Sequence, residues 1–167
     1  MQTHFSNRPN PKLRTVPELR PLLAMLHASG KRIVFTNGCF DILHTGHTRY
    51  LAAARSLGDI LVVAVNSDSS VRGLKGEKRP INGEADRMET LAALETVDFV
   101  TLFSEPDPYE VIKALQPDVL VKGGDWPVEK IIGRDIVEAR GGRVVNVPFV
   151  EGQSTTGMID KILKLYR

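Results

Sequence analysis

The stretch from Lys31 to Thr48, KRIVFTNGCFDILHTGHT, restricts the fold more than any other part of the chain. It opens on Ile33-Val34-Phe35-Thr36, the β-branched and aromatic pattern of a strand buried on both faces. Asn37-Gly38 then predicts a turn. A short loop leads to His44-Thr45-Gly46-His47, and beyond it Tyr50, Leu51, Ala54 and Leu57 recur at helical spacing. Two histidines and a glycine therefore stand where a strand hands over to a helix. In an open parallel sheet, ligands collect at the carboxyl ends of the strands. A helix N-terminus there offers unpaired N–H groups and a partial positive charge, which suits phosphate. Neither G-x-G-x-x-G nor G-x-x-x-x-G-K-[ST] occurs, so these two phosphate cradles are excluded.

The remaining chain alternates in the same way. Apolar runs at 59–66, 97–103, 118–122 and 143–147 predict four further strands. Helical patterns are predicted over 47–58, over 83–95 with Asn82 as N-cap, over 107–115, over 133–140, and from Ser154 to Tyr166. The stretch 69–81, rich in glycine and in the basic residues Arg72, Lys75, Lys78 and Arg79, reads as a loop. The expected architecture is one Rossmann-like, doubly wound α/β domain with a mostly parallel five-stranded sheet. Residues 1–15 read as a flexible tail. The domain is assigned to 16–167 and starts with a helix at 16–29 carrying Leu19, Leu22, Leu23 and Leu26 on one face. Pro21 falls inside that pattern and could delay its regular part. This helix could pack on the domain or on another subunit, so a homodimer or homotetramer is expected.

Composition narrows the function classes. The net charge of +2 over 167 residues is too small to call for nucleic acid. A single cysteine, Cys39, excludes an internal disulfide. The polar, proline-bearing start has no apolar signal core, and no apolar run is long enough to cross a membrane, so a cytoplasmic enzyme is expected. Polar candidates gather at predicted strand ends: Asn37–His47, Asn66–Asp68, Lys122–Asp125 and Ser154–Thr156. Two histidines also raise metal ligation, but no further His, Cys or carboxylate follows them at metal-site spacing, and no metal site is assigned. Ser154 also fits an ordinary N-cap, Arg87 an ion pair with Glu84, His27 a surface or packing role, and Trp126 either packing or a substrate platform.

Asn37-Gly38-Cys39-Phe40-Asp41 followed by His44-Thr45-Gly46-His47 resembles the HxGH nucleotidyltransferases, which include cytidylyltransferases. Lys122-Gly123-Gly124-Asp125 and Gly152-Gln153-Ser154-Thr155-Thr156 narrow the resemblance to the stand-alone form of the bacterial D-glycero-β-D-manno-heptose 1-phosphate adenylyltransferases. The resemblance implies AMP transfer from ATP to the sugar 1-phosphate, with Mg²⁺ on the triphosphate and no covalent enzyme intermediate. The same chemistry on glycerol 3-phosphate with CTP is the alternative, and a non-catalytic nucleotide sensor is a second. By resemblance His44, His47 and Lys75 stabilise the transition state. Asn37, Gly38, Phe40, Gly46, Arg87, Lys122, Gly123, Ser154, Thr155 and Thr156 hold the nucleotide. Asp41, Asn66, Asp68, Arg79, Lys122 and Asp125 face the sugar phosphate. The implied partners are ATP and heptose 1-phosphate, with no nucleic acid and no membrane.

Overall fold

The computed structural model describes residues 10–124, 126–148 and 152–166. Its first helix, α1 (Val16–Ala28), starts earlier than Pro21 would suggest. The Glu18 carboxylate reaches back to the Thr15 N–H at 2.8 Å, and this anchored first turn carries the helix through the proline. Leu19 and Leu23 are buried on the sheet side. Alternation then runs through β1 (Ile33–Gly38), α2 (Thr45–Arg55), β2 (Ile60–Asn66), α3 (Asp68–Lys75), α4 (Glu84–Ala92), β3 (Phe99–Phe103), α5 (Tyr109–Leu115), β4 (Val119–Gly123), α6 (Arg134–Glu138), β5 (Arg143–Val147) and α7 (Thr155–Leu165).

The five strands form one sheet in the order β3-β2-β1-β4-β5, and every pairing among them is parallel. The central strands β1, β2 and β4 are buried on both faces for most of their length, which explains their apolar runs, while β5 at the edge stays half-exposed. Ile33 and Phe35 of β1 join Leu19, Leu23, Ile112 and Val137 on one face. Val34, between them, joins Leu51, Ala54, Leu91 and Ala92 on the other. So α1, α5 and α6 cover one side, and α2 and α4 the other. Burying each of the valine, leucine, isoleucine and phenylalanine side chains among them contributes roughly 1.5–3 kcal/mol against chain entropy.

Three local expectations change. The stretch expected as a loop from residue 69 instead begins with α3, capped by Ser67, whose hydroxyl accepts the Ser70 N–H. Only Val71 of that helix is buried, so its apolar periodicity is too thin to read. Gly83, not Asn82, is the N-cap of α4, because the Asn82 side chain bonds the Asp41 carbonyl instead. Residues 10–15, assigned to a loose tail, run along the outer edge of β3. Val100 donates to the Lys12 carbonyl at 2.9 Å, and Arg14 donates to the Val100 carbonyl at 3.0 Å. They cover an edge that would otherwise present unpaired backbone. Residues 1–9 of that expected tail lie outside the described residues.

Candidate active site

The chain moves outward from β1 to β2 and β3, then returns to the other side of β1 with β4 and β5. The reversal makes β1 and β4 the topological switch point. These strands are in register only at Val34–Val119 and Phe35–Leu120. Beyond those pairs they part, and a cavity of about 1130 Å³ opens between and above them. Tyr50 braces its floor: its hydroxyl meets Thr36 Oγ at 2.6 Å and donates to the Val121 carbonyl at 3.2 Å. Burial pushes the Tyr50 phenol up to about 12, so it stays protonated in this role.

β1 continues through Asn37 and Gly38, two residues further than the turn signal predicts. The reversal falls on Cys39-Phe40, with Phe40 in the left-handed region at φ 47. A Cβ on Gly38 would lie 3.0 Å from the Phe40 ring, so the glycine lets that ring fold back over the strand end. Phe40 packs on His47 with centroids 5.4 Å apart, and His47 stacks on His44 at 4.0 Å and 27°. Gly46 makes this stack possible: a Cβ there would fall 2.9 Å from the His44 ring and 3.0 Å from Gln153 Cβ. The start of α2 thereby touches the segment that opens α7.

Both Nδ1 atoms of the histidines are buried without a partner among the described residues. A buried N–H without an acceptor is costlier than a bare lone pair, which favours the proton on Nε2, the atom left to meet a ligand. Burial depresses the His44 pKa, and burial plus the neighbouring His44 lowers His47 to about 4. At neutral pH the site therefore presents two uncharged imidazole donors, stacked without charge repulsion.

The structure brings Asn37, Gly38, Phe40, Asp41, His44, Gly46, His47, Asn66, Lys75, Arg79, Lys122, Gly123 and Ser154–Thr156 to the wall of this one cavity. Lys122 enters from β4 with its ammonium 3.5 Å from Asn37 Oδ1, and burial depresses its pKa. That neutral amide is its one side-chain hydrogen-bond partner among the described residues, so the cavity holds a cation short of an anion. Ser154 caps α7 by accepting the Gly157 N–H at 3.0 Å. The first turns of both α2 and α7 thus open on the same space.

Two assigned residues stand off the cavity, and a third, on its wall, is already occupied. Arg87 is 2% exposed and lies behind the cavity wall rather than on it. Its guanidinium donates to the carbonyls of Asn82, Cys39 and Asn66 and to the Asp68 carboxylate at 2.8 Å, not to Glu84. Asp68 is occupied by that pair and does not line the cavity. Asp41 reaches the wall, but its carboxylate accepts from Arg79 Nε and from the N–H groups of Ile81 and Asn82. Burial alone would raise its pKa; those donors overcome it and hold the carboxyl below its ordinary value. Asp41 is therefore a latch for the 79–82 segment, with no free oxygen evident for a sugar. Asp125 lies outside the described residues. His27 bonds Asp118 at 2.8 Å, joining α1 to the start of β4. Sequence reasoning missed Leu74 in α3 and Lys130, Ile131 and Ile132 before α6 as cavity residues; ordinary apolar or charged residues outside a motif carry no such signal.

Fold and site together define a nucleotide-binding α/β domain of the HxGH type. The sequence model of the cytidylyltransferase-like family matches residues 35–156, and the chain belongs to that family. It is 53% identical over 163 residues to a protein named bifunctional protein HldE from Citrifermentans bemidjiense, covering 98% of this chain and 34% of that protein. It is also 53% identical to the protein of that name from Geobacter sulfurreducens, covering 93% of this chain and 32% of that one. The chain thus spans about a third of the length of the curated relatives it matches. Among solved structures, a lipopolysaccharide core biosynthesis protein from Thermoplasma volcanium is 32% identical at a TM-score of 0.60, covering 74% of this chain and all of that one. A pantoate-beta-alanine ligase from Francisella tularensis, 14% identical, shares the fold at a TM-score of 0.60 over 91% of this chain and 78% of its own. Among the described residues, no helix is long and apolar enough to cross a membrane.

Proposed function

We propose that this chain transfers AMP from ATP to D-glycero-β-D-manno-heptose 1-phosphate, releasing pyrophosphate and forming ADP-heptose. The observation that carries this reading is the stacked, neutral His44–His47 pair at one helix start, beside the Ser154–Gly157 helix start, on the wall of a cavity that also holds Lys122. Such a site offers hydrogen-bond donors and positive charge from three directions and no activated nucleophile. Burial pushes the Cys39 thiol up, which keeps it protonated and inert. A phosphate oxygen of the sugar attacks the α-phosphorus of ATP directly. The bond from that phosphorus to the β-phosphate bridging oxygen breaks, and pyrophosphate carries away its electrons. Catalysis is then positioning and charge stabilisation, the pattern of phosphoryl transfer generally. His44, His47 and Lys75 serve the transition state, Lys122 and the α7 start hold the triphosphate, and Arg79, fixed by Asp41, meets the sugar phosphate.

The name of the solved relative, a lipopolysaccharide core biosynthesis protein, supports placing the product in lipopolysaccharide core synthesis. Mg²⁺ would arrive with ATP. Among the described residues, no three of His, Cys, Asp or Glu are grouped to hold a metal ion. Asp41 is spent on its donors, and neutral imidazoles are poor ligands for so hard a cation. The deciding assay is pyrophosphate release with heptose 1-phosphate, offering ATP and CTP in parallel and each anomer in turn. Turnover with ATP and the β-anomer is expected. With glycerol 3-phosphate as a parallel acceptor, turnover only with that alcohol and CTP would overturn the assignment.

Gly46 gives a sharp local test. Gly46→Ala is expected to raise the KM for ATP about tenfold or more, because the new methyl group separates His44 from Gln153. The thermal midpoint should hold or fall modestly, since Gly46 lies in the first turn of α2, where helix preference counts for little, and the methyl must push its neighbours aside. A variant with the wild-type KM would show that the close approach of α2 and α7 has no part in binding.

A further inference from the structure

Trp126 is the only tryptophan in the chain, and more than half of it is exposed, at 53%. It nevertheless lines the cavity, on the β4 side, with Ile132, itself 45% exposed. Two large apolar side chains left open at a cavity mouth are unusual unless something flat or apolar covers them. The Trp126 backbone is tied down, since its carbonyl accepts from Asn146 Nδ2 on β5 at 2.5 Å. The ring is thus presented from a fixed base. The polar groups are placed elsewhere: His44, His47 and Lys122 at the strand ends, the α7 start beside them, and Lys75 and Arg79 toward β2.

We propose that Trp126 is the stacking platform for the purine base, with Ile132 closing over the same face. This rests on the nucleotide reading above and adds to it the residue that receives the base. A nucleotide whose phosphates lie at the α7 start must put its base somewhere within about one ribose of them. Trp126 and Ile132 are the large exposed apolar groups at that mouth on the β4 side. Base-on-aromatic stacking contributes about 1–3 kcal/mol by alanine substitution, so losing the ring should weaken binding roughly 5- to 150-fold.

The test uses the intrinsic fluorescence of this single tryptophan. ATP is expected to quench or shift its emission saturably, with the same midpoint that equilibrium dialysis gives. Tripolyphosphate and heptose 1-phosphate should bind without that change. Trp126→Ala should raise the KM for ATP about tenfold or more with little change in kcat, and Trp126→Phe should restore most of the affinity. ATP that binds by dialysis while the emission stays unchanged would overturn the inference alone, as would a quench produced by heptose 1-phosphate and not by ATP. A wild-type KM in Trp126→Ala would do the same. Absence of ATP binding altogether would remove the nucleotide reading, and this one with it.

Discussion

His47→Ala is expected to lower kcat for AMP transfer by about 10²–10³-fold, the cost of removing one preorganised donor from a developing negative charge. His47 is the middle member of the Phe40–His47–His44 stack, so its loss removes one imidazole and frees the other. The KM for ATP should change much less, because Lys122 and the α7 start remain. The same variant carries a second readout. His47 titrates near 4 in the folded chain, against 6.5 for an unperturbed histidine. Between those values the unfolded chain binds more protons, so this group costs stability progressively as pH falls from about 6.5 to about 4. That part of the acid slope should be missing from the denaturation profile of His47→Ala. A variant within twofold of wild-type kcat would sink the catalytic role. An unchanged acid slope would show that His47 is not held neutral in the fold.

The sheet and the placing of two histidines at a helix start were legible because both follow from neighbours in sequence. Strands buried on two faces write continuous apolar runs, and a strand-to-helix turn keeps His44, Gly46 and His47 within four residues. The missing helix α3 had one buried residue, Val71, too little for a period to show. The roles of Arg87 and Asp41 were illegible for another reason. Arg87 reaches Cys39, 48 residues away, and Asp41 reaches Asn82, 41 residues away. A motif places a charged residue near the site but cannot show whether its charge is free or already spent. Trp126 had no regular pattern around it, and only its combination of exposure and placement in the cavity gives it a meaning.

Arg87 leads to the second large effect. Its guanidinium is wholly enclosed and gathers three strand- or loop-end carbonyls with the Asp68 carboxylate. Those carbonyls belong to the segments that carry the Phe40 turn, the wall residue Asn66 and the 79–82 latch. Arg87→Met keeps the volume but leaves these acceptors unpaired. Breaking a buried charge pair costs about 3–5 kcal/mol, and Asp68, part-exposed, recovers some of that by hydration. A loss of about 3 kcal/mol is expected, a fall in thermal midpoint of roughly 6–12 °C for a domain of this size. Arg87→Lys should rescue little, since a single ammonium cannot reproduce a planar fork serving four acceptors. If Arg87 instead bound nucleotide phosphate directly, Arg87→Met would melt near the wild-type temperature and fail only in KM for ATP. If it is the strut seen here, stability falls first, and both kcat and affinity fall with it because three walls of the cavity lose their common tie.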